Sequence, residues 1–132
     1  MARFVHEIAM RWSDMDAYGH INNVRYLTYL EEGRIALFQH RRADLTGRRV
    51  IARHEIDYRR EIHYRSDPPL RLEMWIDQIR GASFIIRCEI VDGDVVAARA
   101  ASTCVAITEN GRPRRLDDDE RAVLGEYADD AS

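Results

Sequence analysis

The sequence predicts an α+β fold in which an antiparallel sheet of about five strands wraps around one long central helix. Three observations carry this expectation. One long helical pattern lies near the N-terminus, a succession of period-two segments follows it, and Gly, Pro and Asp clusters punctuate those segments. A lone helix with an apolar stripe must bury that stripe, and a twisted sheet of about five strands can curl far enough to do so. The chain has 132 residues, and we read positions 1–132 as a single domain.

Residues 3–12 read as a first strand, with Phe4, His6, Ile8 and Met10 on one face. Ser13 to Asn23 is polar, contains Gly19 and reads as a loop. A helix is expected from Val24 to Arg41, capped by Asn22 or Asn23, because an amide oxygen there can accept a bond from an orphan backbone N–H. Its stripe is expected at Val24, Leu27, Leu30, Arg34 and Leu37, with Tyr26, Ile35 and Phe38 beside it. Gly33 costs helix stability and is explained by close approach to a packed sheet. A long charged strand is expected from Val50 to Tyr64, with Ile56, Tyr58, Ile62 and Tyr64 on one face, and Ser66-Asp67-Pro68-Pro69 breaks it. Leu70, Leu72, Met74 and Ile76, then Phe84, Ile86, Cys88 and Ile90, alternate as two further strands. Asp92-Gly93-Asp94 is a hairpin turn, and Val95 to Thr108 an Ala-rich strand. Asp117 to Tyr127 reads as a short helix with an acidic start, and Ala128 to Ser132 as a frayed tail.

Composition narrows the functional classes. Apolar residues make up 45% and charged residues 33%, as in an ordinary soluble globular protein. All 20 basic residues are Arg, which excludes a Schiff-base lysine and supplies forked donors suited to phosphates. The formal net charge of −3 gives no basic excess and hence no sign of a nucleic-acid partner. No apolar run is long enough for a spanning helix, and the first residues lack a signal-peptide core, so the expected location is cytoplasmic with no membrane partner. Cys88 and Cys104 show no metal or redox spacing and are read as small core residues in a reducing compartment. None of the five serines, Ser13, Ser66, Ser83, Ser102 and Ser132, lies in a Gly-x-Ser-x-Gly elbow. No phosphate-binding loop or dinucleotide fingerprint occurs.

The chemistry concentrates between Arg11 and Tyr26. Asp14, Asp16, His20, Asn22 and Asn23 directly precede a helix N-terminus, where free N–H groups and partial positive charge collect. Such a terminus can serve as an oxyanion site, and a carboxylate beside it can act as nucleophile or as general base on water. Acyl transfer to water fits this set. Spacing alone leaves open that the same residues are only loop and cap formers.

The run Asp14-Met-Asp16-Ala-Tyr18-Gly19-His20-Ile-Asn22-Asn23-Val-Arg-Tyr26, continuing through Glu31 and Glu32 to Arg34, closely resembles the signature of the hotdog-fold thioesterases. It is similar to the 4-hydroxybenzoyl-CoA thioesterase type, the bacterial long-chain acyl-CoA thioesterases and the plant acyl-ACP thioesterases. The resemblance is specific over residues 11–34. It implies a hotdog fold, a homodimer or homotetramer, and hydrolysis of an acyl-CoA to carboxylic acid and CoA, as in fatty acid metabolism. By the same resemblance Asp16 is the catalytic carboxylate, the backbone N–H of Asn23 polarises the thioester carbonyl, and His20 orients water or the Asp. Asp14 matches the first, structural Asp. Tyr18 stands where the plant enzymes carry a catalytic Asn and departs from that pattern; with Asn22 it is expected to contact substrate. The type with a catalytic Glu on the helix is not matched, which leaves Glu31 in reserve. No metal or redox cofactor is implied. The CoA phosphates need cations, and Arg59, Arg60 and Arg65 are the expected set.

Other clusters are weaker. Asp14, Asp16 and His20 lack a complete zinc-type spacing. Asp57, Glu61 and His63 share one face of the expected long strand while His54 faces the other way, and they read as solvated or dimer-facing charge. Two other functions remain: an acyl-ACP thioesterase with the same site, and a hotdog protein that binds an acyl thioester without turning it over.

Overall fold

The computed structural model describes residues 3–41, 45 and 47–128. The tail from 129 onward lies outside the described residues. In order come β1 (Phe4–Ile8), a 3-10 turn (Trp12–Asp14), α1 (Asn23–His40), β2 (Arg48–Tyr58), β3 (Leu70–Asp77), β4 (Ser83–Asp92), β5 (Val95–Ile107) and α2 (Asp118–Glu126). The five strands form one sheet in the order β1-β3-β4-β5-β2, with every neighbouring pair antiparallel. β1 and β2 are its edges.

Alternation decides which sheet face is buried. Leu70, Leu72, Met74 and Ile76 of β3 and Phe84, Ile86, Cys88 and Ile90 of β4 are all buried, while their odd-numbered neighbours are half-exposed up to Val91. On β5, Ala98, Ala100, Ser102, Cys104 and Ala106 continue the same face. α1 packs on it. At Gly33 an added Cβ would lie 2.9 Å from Met74 Sδ and 3.0 Å from Leu72 Cδ1, so the missing side chain is what lets helix and sheet meet.

Three expectations need correction. The buried stripe of α1 is Tyr26, Tyr29, Leu30, Gly33 and Leu37, whereas Val24, Leu27 and Ile35 are exposed. The cause is the contact at Gly33: the smallest residue sets the closest approach, and the two tyrosines bury large apolar bodies beside Leu30. The long strand also ends at Tyr58, not Tyr64. The N–H groups of Arg59 and Arg60 both donate to the Ala97 carbonyl, at 2.8 and 3.0 Å, and the chain then leaves β5 to pair with the loop before α1. At the N-terminus, β1 stops at Ile8, short of the expected residue 12. There the Asp14 carboxylate folds back to accept the Arg11 N–H and starts the 3-10 turn.

α2 closes the other side. Asp117 accepts the Glu120 N–H at 2.8 Å and Glu120 accepts the Asp117 N–H at 2.9 Å, a complete capping box. Glu120 is buried and is also gripped by Arg114 at 2.7 and 2.9 Å and by Arg49 at 3.3 Å. Among the described residues no helix is long and apolar enough to cross a membrane.

Candidate active site

The loop between β1 and α1 is organised by two carboxylates with opposite fates. Asp14 is buried. Its Oδ2 accepts the Tyr29 hydroxyl at 2.6 Å and the Arg11 N–H at 3.0 Å, and Arg25 Nε stands 3.7 Å from Oδ1. Burial first, then the carboxylate that accepts its proton, push the Tyr29 phenol far above its usual value, so Tyr29 remains a donor at every ordinary pH. The Asn22 N–H donates to the Asp14 carbonyl at 2.9 Å, so Asp14 holds both the start and the end of the loop.

Asp16 is only half-buried. Its Oδ1 accepts the N–H groups of Tyr18 (2.8 Å) and His20 (3.1 Å). Its own N–H donates to the His20 carbonyl, and the Gly19 N–H donates to the Asp16 carbonyl. Gly19 has φ +79°, a conformation that glycine reaches without strain, and this lets the turn close. Among the described residues Asp16 Oδ2 accepts no hydrogen bond. One oxygen therefore builds the turn and the other stays available.

α1 begins immediately behind this turn. Asn22 caps it, its Oδ1 accepting the Val24 N–H at 3.1 Å, and its carbonyl accepts the Arg25 N–H at 2.8 Å. The Asn23 N–H, the first of the helix, has no acceptor among the described residues. It is one of the orphan donors that a helix N-terminus leaves over. Tyr58 at the end of β2 leans on this turn: its hydroxyl donates to the Asn23 carbonyl at 3.2 Å, and its ring meets Tyr26 edge-on, with centroids 5.0 Å apart.

A pocket of about 500 Å³ opens here. Of the residues singled out by the sequence, Asp16, His20, Asn22, Asn23, Arg59 and Arg60 line it. Tyr18 does not; it is exposed, and only its backbone is tied to Asp16. The Arg59 and Arg60 guanidinium groups have no acidic partner among the described residues. Arg65 is bound to Asp92 at 2.6 Å and to the Pro68 carbonyl, away from the lining. Glu31 is elsewhere, on a second hollow of about 500 Å³ with Arg34, Ile35, Arg49, His54 and Cys104. Cys88 and Cys104 are buried and unpaired, and burial pushes their thiols up to about 12 and about 11, which makes them inert packing groups.

Tyr58 and Glu61 also line the pocket, and sequence reasoning did not assign either to it. Both sit beyond or at the end of β2, and their approach to α1 depends on where that strand stops. Tyr26, read from sequence as core, is both buried and part of the lining.

A five-stranded antiparallel sheet packed on one helix, with a polar pocket at that helix's N-terminus lined by Asp16 and Asn23, defines a hotdog-type protein. The chain belongs to the thioesterase-like superfamily, which matches residues 10–124, and is a thioester hydrolase. A predicted thioesterase from Bacillus stearothermophilus is 34% identical and superposes with a TM-score of 0.86, covering 96% of this chain and 97% of its own. A thioesterase from Thermus thermophilus, solved with coenzyme A and Zn, is 27% identical with a TM-score of 0.79, covering 92% and 94%. A thioesterase superfamily protein from Jannaschia sp. CCS1 shares the fold, with a TM-score of 0.86 at 20% identity over 97% and 94% of the two chains. No functionally curated protein matches the sequence.

Proposed function

We propose that this chain hydrolyses an acyl-CoA thioester to the free carboxylic acid and CoA, with Asp16 as the catalytic carboxylate. The observation that carries the reading is the pairing, in one pocket, of an Asp16 Oδ2 and an Asn23 N–H that have no partner among the described residues. The carbonyl oxygen of the substrate accepts the Asn23 N–H, and the positive end of α1 stabilises the charge that develops there. Asp16 then takes one of two routes. As base it removes a proton from water, the hydroxide oxygen adds to the carbonyl carbon, the C–S bond breaks, and the thiolate takes the proton back from Asp16. As nucleophile it forms an acyl anhydride as the C–S bond breaks and CoA leaves as its thiolate; water then cleaves the anhydride, and one of the protons it releases goes to the thiolate. His20 and Asn22 border the same space and orient water and substrate.

Arg59 and Arg60 fit the phosphates of CoA, since both guanidinium groups border the pocket without an acidic partner among the described residues. The coenzyme A bound by the Thermus relative supports this carrier. Val24, Leu27 and Ile35 on α1 and Val50 and Tyr58 on edge strand β2 are exposed apolar groups beside an unpaired strand edge, and we assign them to a homodimer interface.

Thiol release from a panel of acyl- and aroyl-CoA esters tests the activity, and matched acyl-ACP substrates test the carrier. Turnover of acyl-ACP with none of CoA esters would assign the other carrier. CoA binding without thiol release from any ester would leave a binding protein. Asp16→Asn keeps an acceptor for the Tyr18 and His20 N–H groups and should lower turnover by about 10³-fold in a folded protein. Single turnover in 18O-water tests for the anhydride: label enters Asp16 only when water attacks the aspartyl carbonyl of that intermediate, whereas the base route labels the acid product alone.

A further inference from the structure

We infer that His20, His63 and Glu61 form a binding site for a divalent transition-metal ion of the zinc class, on the wall of the pocket that holds Asp16. The backbone builds the site. His20 and His63 stand opposite each other on an antiparallel bridge between the loop before α1 and the segment after β2. The bonds that flank them run from the Ile21 N–H to the Ile62 carbonyl at 2.7 Å and from the Tyr64 N–H to the Gly19 carbonyl at 2.8 Å. That pattern makes His20 and His63 a non-hydrogen-bonded pair, the kind whose side chains stand closest across a ladder. Their rings meet edge to face with centroids 4.5 Å apart. Glu61 is two residues before His63, on the same face under alternation, and its Oε2 lies 3.4 Å from His20 Nδ1.

One ligand atom from each residue falls within 4.8 Å of the others. A tetrahedral ion with bonds of about 2.1 Å wants its ligand atoms about 3.4 Å apart. The imidazoles are set by the bridge, and Glu61, whose side chain is 71% exposed, supplies the remaining adjustment by rotation. Two imidazoles and one carboxylate, with a fourth position left to solvent, are a donor set that zinc accepts and magnesium does not favour. Ile62, between Glu61 and His63, is fully buried, so the segment carrying both ligands is anchored to the core. Neither Glu61 nor His63 is needed for thioester chemistry as proposed above, and the site is read without substrate. Its failure is therefore distinguishable from failure of the hydrolase assignment.

The test is a titration of chelator-treated protein with Zn2+ against a chromophoric competitor, repeated with Co2+ to read the visible band of a tetrahedral site. The expected result is one ion per chain, no competition from Mg2+, and a loss of at least about tenfold in affinity in both His63→Ala and Glu61→Gln. His54→Ala, which alters an imidazole bonded to Ser102 in another part of the sheet, should bind like the parent. His63 and Glu61 are both exposed, so their variants should fold, and circular dichroism checks this. Absence of stoichiometric zinc binding, or equal affinity in the parent and in both ligand variants, overturns the inference.

Discussion

The two helices of this chain begin in opposite ways. At the start of α2 the capping box is complete, and the buried Glu120 carboxylate is held by Arg114, Arg49 and the Asp117 N–H. At the start of α1 the cap is a single bond from Val24 to Asn22, the Asn23 N–H is unbonded, and Asp16 keeps one oxygen without a donor among the described residues. At the start of α2 both carboxylates of the box, Asp117 and Glu120, are satisfied, and the box contributes stability. The start of α1 differs in that its leftover N–H shares a pocket with a carboxylate oxygen that has no donor among the described residues, an arrangement suited to a ligand. The difference predicts a clean dissociation between stability and activity.

The largest effects test that dissociation directly. Asp16→Asn should lower kcat by about 10³-fold, some 4 kcal/mol of barrier, with a melting temperature near the parent's. Asp16→Ala should lose as much activity and also lose stability, because the Tyr18 and His20 N–H groups lose their acceptor. Steady-state thiol release and thermal melts read both. Glu120→Gln should do the reverse. Removing one partner of a buried ion cluster costs about 3 kcal/mol, or roughly 10 °C in melting temperature, while kcat at low temperature stays within about twofold. An Asp16→Asn enzyme with near-parental turnover would falsify the assignment of the α1 terminus.

Acid sharpens the contrast. Burial alone would raise the Glu120 carboxyl. The Arg114 hydrogen bonds, the Asp117 N–H and the charges of Arg114 and Arg49 outweigh it and hold the group below its usual value. A carboxyl lowered by folding contributes stability that is fully present above the unfolded value, about 4.3, and is lost as pH falls through the folded value. The gap in melting temperature between the parent and Glu120→Gln should therefore be constant near neutrality and narrow on acidification below about pH 5. A gap that does not change with pH would show that packing, not charge, stabilises this corner.

Between the two extremes lies Asp14, a carboxylate in the same loop as Asp16 but satisfied like Glu120. Tyr29→Phe removes its 2.6 Å donor and leaves the Arg11 N–H and Arg25. Loss of a hydrogen bond to a buried charge should cost about 2 kcal/mol, and urea denaturation measures it. Activity should fall less than in Asp16→Asn, since the Asp16 turn keeps its own bonds.

Much of this was legible in the sequence, and what was hidden has a common cause. The strands β3, β4 and β5 and the capped start of α1 follow from local alternation and cap chemistry, which act between near neighbours. The spacing of aliphatic residues on α1 points to the wrong stripe. Tyr26, expected in the core, is buried, and so is Tyr29, whose hydroxyl is satisfied by Asp14, a partner fifteen positions earlier. Ile62 and Tyr64 continue the alternation of β2 and extend the expected strand past its end at Tyr58. Nothing local signals that the chain exchanges β5 for the His20 loop as its partner after Tyr58. The pocket's Arg59, Arg60, Tyr58 and Glu61 depend on that exchange, so their placement beside Asp16 is a tertiary fact.

Gly33 offers the smallest and most exacting test, because two terms of opposite sign compete there. Gly33→Ala gains about 1 kcal/mol in helix propensity. The added Cβ would stand 2.9 Å from Met74 Sδ and 3.0 Å from Leu72 Cδ1, closer than side chains tolerate, and overpacking costs about 2 kcal/mol. Both neighbours are flexible side chains that can shift, so the net loss should be about 1 kcal/mol. Gly33→Leu has no such escape: its larger side chain must move α1 off β3. That displacement would carry Asn22 and Asn23 away from Asp16, so activity should fall along with stability. If Gly33→Leu lost stability but kept full turnover, the α1 terminus would be positioned by its own loop and not by the helix–sheet contact.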